Sequence, residues 1–260
     1  MKPLKLRLII AMLMSMNYSK QIKRISTGSK NLDDLLLGGI ETHAITEFYG
    51  SGGVGKSQIC YTLSVMAAQS TENRRSCTAV IYMDTEAKFR PERLITIART
   101  RGLDTRDKDL LSNILYVNVM TAYQQEEILK NSVKQLLEDK RCNLSLLIVD
   151  SIINNFRAEF LGPLNLSERQ QRLYRLMNLL SHMAYDYGIA VVVTNQINYS
   201  SHPYSSAAGG HVMSFSSNYR ICLRTRYAGG RVTATIVKSP YHHLGNKAYF
   251  MLSEKGIEDV

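Results

Sequence analysis

Glycines, a lysine and a hydroxyl stand at a telling spacing in Gly50-Ser51-Gly52-Gly53-Val54-Gly55-Lys56-Ser57, which fits G-x-x-x-x-G-K-[ST] without a mismatch. Such glycines let the main chain wrap around a phosphate with its N–H groups pointing inward. The helix that follows adds the positive end of its dipole. Lys56 is then expected to reach the β- and γ-phosphates of a nucleotide, and the Ser57 hydroxyl to hold Mg2+, with Gln58 next in line. Asp150 closes the run Leu-Ser-Leu-Leu-Ile-Val, and an acid at the C-terminal end of a buried strand lies where ligands of parallel sheets bind. It is expected in the Mg2+ shell. Glu86, in Met83-Asp84-Thr85-Glu86, has the chemistry to orient and deprotonate an attacking water. A chance glycine-rich turn and solvated strand-end acids are the bland alternatives, and the flanking elements argue against them.

Those elements form an alternating series. Ile45 to Phe48 reads as a strand, followed by an amphipathic helix from Lys56 to about Gln69. Ala79 to Met83, Ile114 to Val119, Leu144 to Val149 and Ala190 to Thr194 read as further strands. Between them fall helices from Glu92 to Arg101, opened by Pro91, from Gln124 to Asp139, and from Glu168 to Tyr187. The last of these carries Leu173, Leu176, Leu180, Met183 and Tyr187 on one face. The fold class is therefore α/β, a mostly parallel twisted sheet flanked by helices with right-handed crossovers. After Gly210 the strands Tyr219 to Arg226, Arg231 to Val237 and Ala248 to Leu252 point to an antiparallel extension, the first two joined through Ala228-Gly229-Gly230.

The 260 residues suit one such domain. A net charge of +10 favours a polyanionic partner such as nucleic acid, or marks an inert basic surface. Cys60, Cys77, Cys142 and Cys222 form no CxxC pair; Cys60, Cys142 and Cys222 read as core thiols in a reducing, cytoplasmic compartment. Leu4 to Met16 is basic and then apolar, but too short to span a bilayer. Residues 1–24 are read as an extension, either an over-extended gene start or a docking segment, and 25–260 as the core. No membrane partner is expected.

The motifs together resemble the ATPase core of the RecA/RadA recombinase family. The resemblance is carried by Ile25-Ser26-Thr27-Gly28-Ser29-Lys30, Gly38-Gly39-Ile40-Glu41-Thr42, Asp84-Thr85-Glu86, Phe89-Arg90-Pro91-Glu92-Arg93, Leu147-Ile148-Val149-Asp150-Ser151, Phe156-Arg157-Ala158-Glu159, Glu168-Arg169-Gln170-Gln171, Thr194-Asn195-Gln196 and Ala208-Gly209-Gly210-His211, in family order. The short archaeal RadA paralogues, the RadB-like proteins, are the most similar in organisation. The resemblance implies ATP and Mg2+ as cofactors, Glu86 as catalytic glutamate, Arg93 as the arginine that stacks on adenine, and Gln196 as the γ-phosphate sensor. It implies head-to-tail assembly with recombinase or paralogue subunits, Lys238-Ser239-Pro240 serving as the cap over a neighbour's nucleotide.

Several positions depart from the family. Residues 1–24 hold no Phe-x-x-Ala hook. The first DNA-binding loop reads Leu161-Gly162-Pro163-Leu164-Asn165, with Pro163 where the family has arginine, and Asn198 to Ala208 carries no Lys or Arg. Tyr199, His202 and Tyr204 there either stack on bases or simply pack. DNA, single-stranded more than double-stranded, is expected to meet Arg169, Arg172 and Arg175 on one helix or Lys20, Lys23 and Arg24; a solvated face is the alternative. Lys238 replaces an aspartate and is either a charge stabiliser in trans or a surface lysine. Ala87 replaces a glycine, with little effect expected. Two functions fit: a slow, DNA-stimulated ATPase of recombinational repair, or a nucleotide-gated mediator with little turnover.

Overall fold

Strands buried on both faces favour apolar side chains, and the sheet centre is built by β3 (Ile45–Gly50), β6 (Leu146–Asp150) and β7 (Ala190–Gln196). Leu146–Val149 and Ala190–Val193 are continuous apolar runs, whereas β3 also buries Thr46 and Glu47, the latter paired with Arg220 and Asn195. The computed structural model describes residues 22–69, 79–103, 107–139, 143–197, 207–225 and 230–260. Two short strands, β1 (Arg24–Ile25) and β2 (Ile40–Glu41), pair antiparallel around helix α1 (Lys30–Leu35). Beyond β3 come α2 (Lys56–Gln69), β4 (Val80–Asp84), α3 (Pro91–Thr100), α4 (Asp107–Ser112) and β5 (Ile114–Asn118). Helix α5 (Ala122–Ile128) runs through a π turn at Leu129–Val133 into α6 (Lys134–Glu138). Helices α7 (Asn154–Glu159) and α8 (Leu166–Tyr187) separate β6 from β7, and α9 (Gly210–Ser216) precedes β8 (Tyr219–Thr225), β9 (Arg231–Lys238), β10 (Lys247–Ser253) and β11 (Gly256–Asp259).

Among the described residues the main sheet has nine strands in the order β11-β10-β9-β8-β3-β7-β6-β4-β5. From β8 to β5 the pairing is parallel; β8 to β11 is an antiparallel extension, as the sequence implied. Register places the ends of the central strands level: Gly50 pairs with Gln196, and Asp84 with Asp150. The carboxyl ends of β3, β4, β6 and β7 thus form one edge, the ligand edge of an open α/β sheet.

Side-chain alternation divides the core into two layers. Phe48, Tyr82 and Ile148 pack toward α1, α2 and α3, while Ile45, Met83 and Val149 pack toward α8 and its neighbours. The predicted stripe on α8 is buried at Leu173, Leu176, Leu180 and Met183, and Gly188 ends the helix at φ 69°. Helix α2 differs from expectation. It is not amphipathic: Ile59 to Val65 are all buried, because the sheet covers one side and α3 and β11 the other. The helix expected from Gln124 begins earlier, at Ala122, because the Thr121 hydroxyl caps it by accepting the Gln124 N–H at 3.0 Å. The Ala228-Gly229-Gly230 connection lies mostly outside the described residues, as do Cys77 and Cys142; Cys60 and Cys222 are buried free thiols. Among the described residues no helix is long and apolar enough to cross a membrane.

Candidate active site

Gly50 ends β3 and Lys56 opens α2, so the loop between them turns at the ligand edge of the sheet. A Cβ at Gly50 would stand 2.5 Å from the Leu223 carbonyl oxygen, and Gly55, at φ 101°, lies against the Leu252 side chain. Beside Gly52 and Gly53, a Cβ would meet nothing within 4 Å, so the loop faces open space there. The Lys56 ammonium folds over this loop and donates to the carbonyls of Gly50 at 3.0 Å and Ser51 at 2.8 Å. Burial lowers the pKa of Lys56, while the charges of Asp150 and Glu86 oppose that shift.

Next to the loop is a cavity of about 340 Å³ whose wall includes Ser57, Gln58, Glu86, Lys88, Arg93 and Asp150. Ser57 and Asp150 offer the hard oxygen donors that Mg2+ takes, and the loop offers N–H groups and an ammonium to a polyphosphate; the residues fit both. Asp150 is fixed at both oxygens: Oδ2 accepts from the Tyr82 hydroxyl at 2.7 Å and Oδ1 from the Thr194 hydroxyl at 2.5 Å. Behind it, the Thr85 hydroxyl donates to the Ser151 carbonyl at 2.8 Å and accepts the Ser151 N–H at 3.0 Å.

Glu86 is placed by Asp84. The Asp84 carboxylate accepts the N–H groups of Glu86 at 2.9 Å and of Lys88 and Phe89 at 2.8 Å, tying the turn after β4 to the strand end. Ala87 in this turn has φ 53°, a region glycine enters freely and alanine at a cost of about 1 kcal/mol. The Asp84 bonds hold the turn in this conformation. Glu86 Oε1 accepts from Gln196 Nε2 at 3.2 Å, and Oε2 pairs with Lys88 Nζ at 2.6 Å. Gln196 Oε1 in turn accepts from Arg157 at 3.3 Å. The adjacent Asn195 donates to Glu47 at 2.8 Å and to the Ala208 carbonyl at 2.7 Å, anchoring β7 from inside.

Lys56, Ser57, Glu86, Asp150 and Gln196, predicted separately, therefore converge on one edge. Arg93 reaches the same cavity, with its donors engaged: Nε to Gln58 at 2.8 Å, and the terminal nitrogens to the carbonyls of Ser253 and Glu254. Tyr82, Asp84, Lys88 and Thr194 were not singled out from the sequence. Asp84 and Thr194 stood inside quoted motifs, which was signal enough, whereas Tyr82 reads only as one more apolar strand position.

The remaining candidates lie elsewhere. Arg169 donates to the Phe160 carbonyl at 3.4 Å; Arg172 pairs with Glu168 at 3.0 Å and covers the Phe160 ring; Arg175 is exposed on the same helix. Leu161 and Leu164 stand exposed in the loop before α8. Of the basic trio, Arg24 is committed to an ion pair with Glu41, and Lys20 lies outside the described residues, as do Tyr199, His202 and Tyr204. Lys238 Nζ donates to the carbonyls of Ser214 at 2.8 Å and Phe215 at 3.1 Å, capping the C-terminus of α9, and Pro240 lies in the bend that follows β9.

A family model described as Rad51 matches residues 18–260. The DNA repair and recombination protein RadA of Cenarchaeum symbiosum (strain A) is 39% identical over 245 residues, which cover 93% of this chain and 60% of that protein. The chain thus spans about three fifths of the length of that curated relative. With a P-loop, a strand-end aspartate and a sheet order that brings Glu86 and Gln196 to the same edge, the chain belongs to the Rad51 family.

Proposed function

We propose that this chain binds ATP with Mg2+ between the Gly50–Ser57 loop and Asp150 and hydrolyses it slowly, stimulated by single-stranded DNA, as a RadB-like accessory in recombinational repair. The observation that carries the reading is the placement of Glu86: clamped by Asp84, hydrogen-bonded to Gln196, and on the wall of the same cavity as Ser57 and Asp150. Residues 25–260 act as the ATPase core, in the cytoplasm. Lys56 neutralises the β- and γ-phosphate oxygens, and Ser57 and Asp150 hold the metal, which when bound adds further charge neutralisation there. Arg93 presents its flat face to adenine, its in-plane donors being occupied. Glu86 takes the proton of the attacking water.

The Glu86–Gln196–Arg157 chain supports coupling between that base and α7, beside α8, where Arg169, Arg172 and Arg175 meet the DNA. Lys238 and Pro240 of one subunit cap the nucleotide of the next in a head-to-tail assembly with recombinase or paralogue chains.

Steady-state ATP hydrolysis with and without single-stranded DNA tests the proposal. The wild type is expected to be stimulated, and Glu86→Gln to fall by about a hundredfold. A rate indifferent to both DNA and the substitution defeats the enzymatic reading. One observation favours the second reading, a nucleotide-gated mediator: the Lys88 ammonium occupies the carboxylate that would activate water. That reading predicts ATP-dependent binding to recombinase with negligible turnover.

A further inference from the structure

Lys88 has no part in the motifs that mark the site, yet it is one of the residues that line the cavity. The N–H groups of Glu86 and Lys88 are both held by Asp84, so the two side chains leave one rigid turn and meet at 2.6 Å. The Lys88 side chain contributes little to packing, being 76% exposed; what the fold uses is its main chain, whose carbonyl accepts the Tyr61 hydroxyl at 3.2 Å. Among the described residues the ion-pair partner of its ammonium is Glu86. The charges of Asp150 and Asp84 also act on Lys88, and Lys88 acts on Lys56. Its ammonium therefore belongs to the same electrostatic cluster as the phosphate lysine and the metal aspartate.

We propose that Lys88 is a γ-phosphate specificity and positioning residue: it holds Glu86 as an ion pair until ATP enters, then moves to the γ-phosphate and releases the carboxylate for water. This rests on the ATP-site reading above. The physical cause is competition between anions. A terminal phosphate carries more negative charge than one carboxylate and offers more acceptor oxygens, so a flexible ammonium within reach of both shifts to the phosphate. ADP has no γ-phosphate at that position and leaves the Lys88–Glu86 pair closed. With ATP, the bond from the water oxygen to Pγ forms as the bond from Pγ to the β,γ-bridging oxygen breaks. The proton of the water goes to the freed Glu86, which passes it to the departing phosphate, and Lys88 then returns to the ionised carboxylate.

The test is equilibrium binding of fluorescently tagged ATP and ADP, with Mg2+, to the wild type and to Lys88→Met, Lys88→Arg, Glu86→Gln and the Glu86→Gln/Lys88→Met double variant. Lys88→Met is expected to weaken ATP about tenfold and ADP by no more than about twofold. Lys88→Arg is expected to restore the ATP preference. Glu86→Gln frees Lys88 from its competitor, so ATP binds more tightly, and that gain disappears in the double variant. Equal effects of Lys88→Met on ATP and ADP, no effect on either, or a gain that persists in the double variant overturns the role of Lys88. Failure of the wild type to bind either nucleotide instead overturns the ATP site itself, so the two failures are distinguishable.

Discussion

At the carboxyl ends of β3, β4, β6 and β7 the chain presents side chains, whereas around the turn between β10 and β11 it presents main-chain carbonyls. In the first region, Asp150 and Glu86 line one cavity and Gln196 bonds to Glu86 at the same sheet edge, each held by a neighbour: Tyr82 and Thr194, Asp84, and Arg157. In the second, guanidinium groups from α3 and the residue after it are tied to backbone oxygens. Arg101 donates to the carbonyls of Lys255 at 2.7 Å, Gly28 at 3.0 Å and Ile257; Arg93 donates to those of Ser253 and Glu254. One side chain joins this clamp: the Asp259 carboxylate accepts the N–H groups of Lys30 at 3.1 Å and Asn31 at 3.0 Å, fastening the last strand to the first helix. The two regions solve different problems. A site that discriminates ligands needs side-chain chemistry, whereas a clamp that only has to stay shut can use carbonyls, which any sequence supplies.

If this division holds, damage in the two regions is read by different assays. The largest effect is expected from Asp84→Ala, which releases the N–H groups of Glu86, Lys88 and Phe89. Misplacing the base by an ångström is expected to reduce kcat about a hundredfold, with KM for ATP changing far less. A KM effect with intact kcat would remove Asp84 from the positioning role. Arg101→Ala is expected to do the reverse: to destabilise the fold by about 2 kcal/mol, through the carbonyls left unpaired, and to leave nucleotide affinity nearly unchanged. Denaturant unfolding read beside nucleotide titration checks this, and a loss of affinity without loss of stability would erase the contrast between the regions.

How far the sequence foretold the molecule follows the same division. Strands β4, β6 and β7 were legible because burial on both faces favours continuous apolar runs, and α8 because its 22 residues give the helical period room to show. Helices α1, α7 and α9, of six or seven residues, complete too few turns to carry a period, and the two-residue strands β1 and β2 carry none at all. At the sheet edge, Lys56, Ser57 and Asp150 were readable as neighbours because the G-x-x-x-x-G-K-[ST] pattern and an acid ending an apolar strand fix residue type and place. The Lys88–Glu86 pair was not: it depends on a turn shaped by Asp84, which no periodicity encodes. Nor were the partners of Arg93 and Arg101 visible, since the acceptor carbonyls of Ser253, Glu254, Lys255 and Ile257 lie more than 150 positions further along the chain.

Equilibrium binding of labelled ATP, with Mg2+ in excess, to the wild type and to Lys56→Ala tests the central claim most directly. The account predicts saturable binding by the wild type, about a hundredfold weaker binding by the variant, and unchanged unfolding stability, because the Lys56 ammonium touches only the loop that it serves. Equal affinity in the two proteins, or no binding by the wild type, would contradict it.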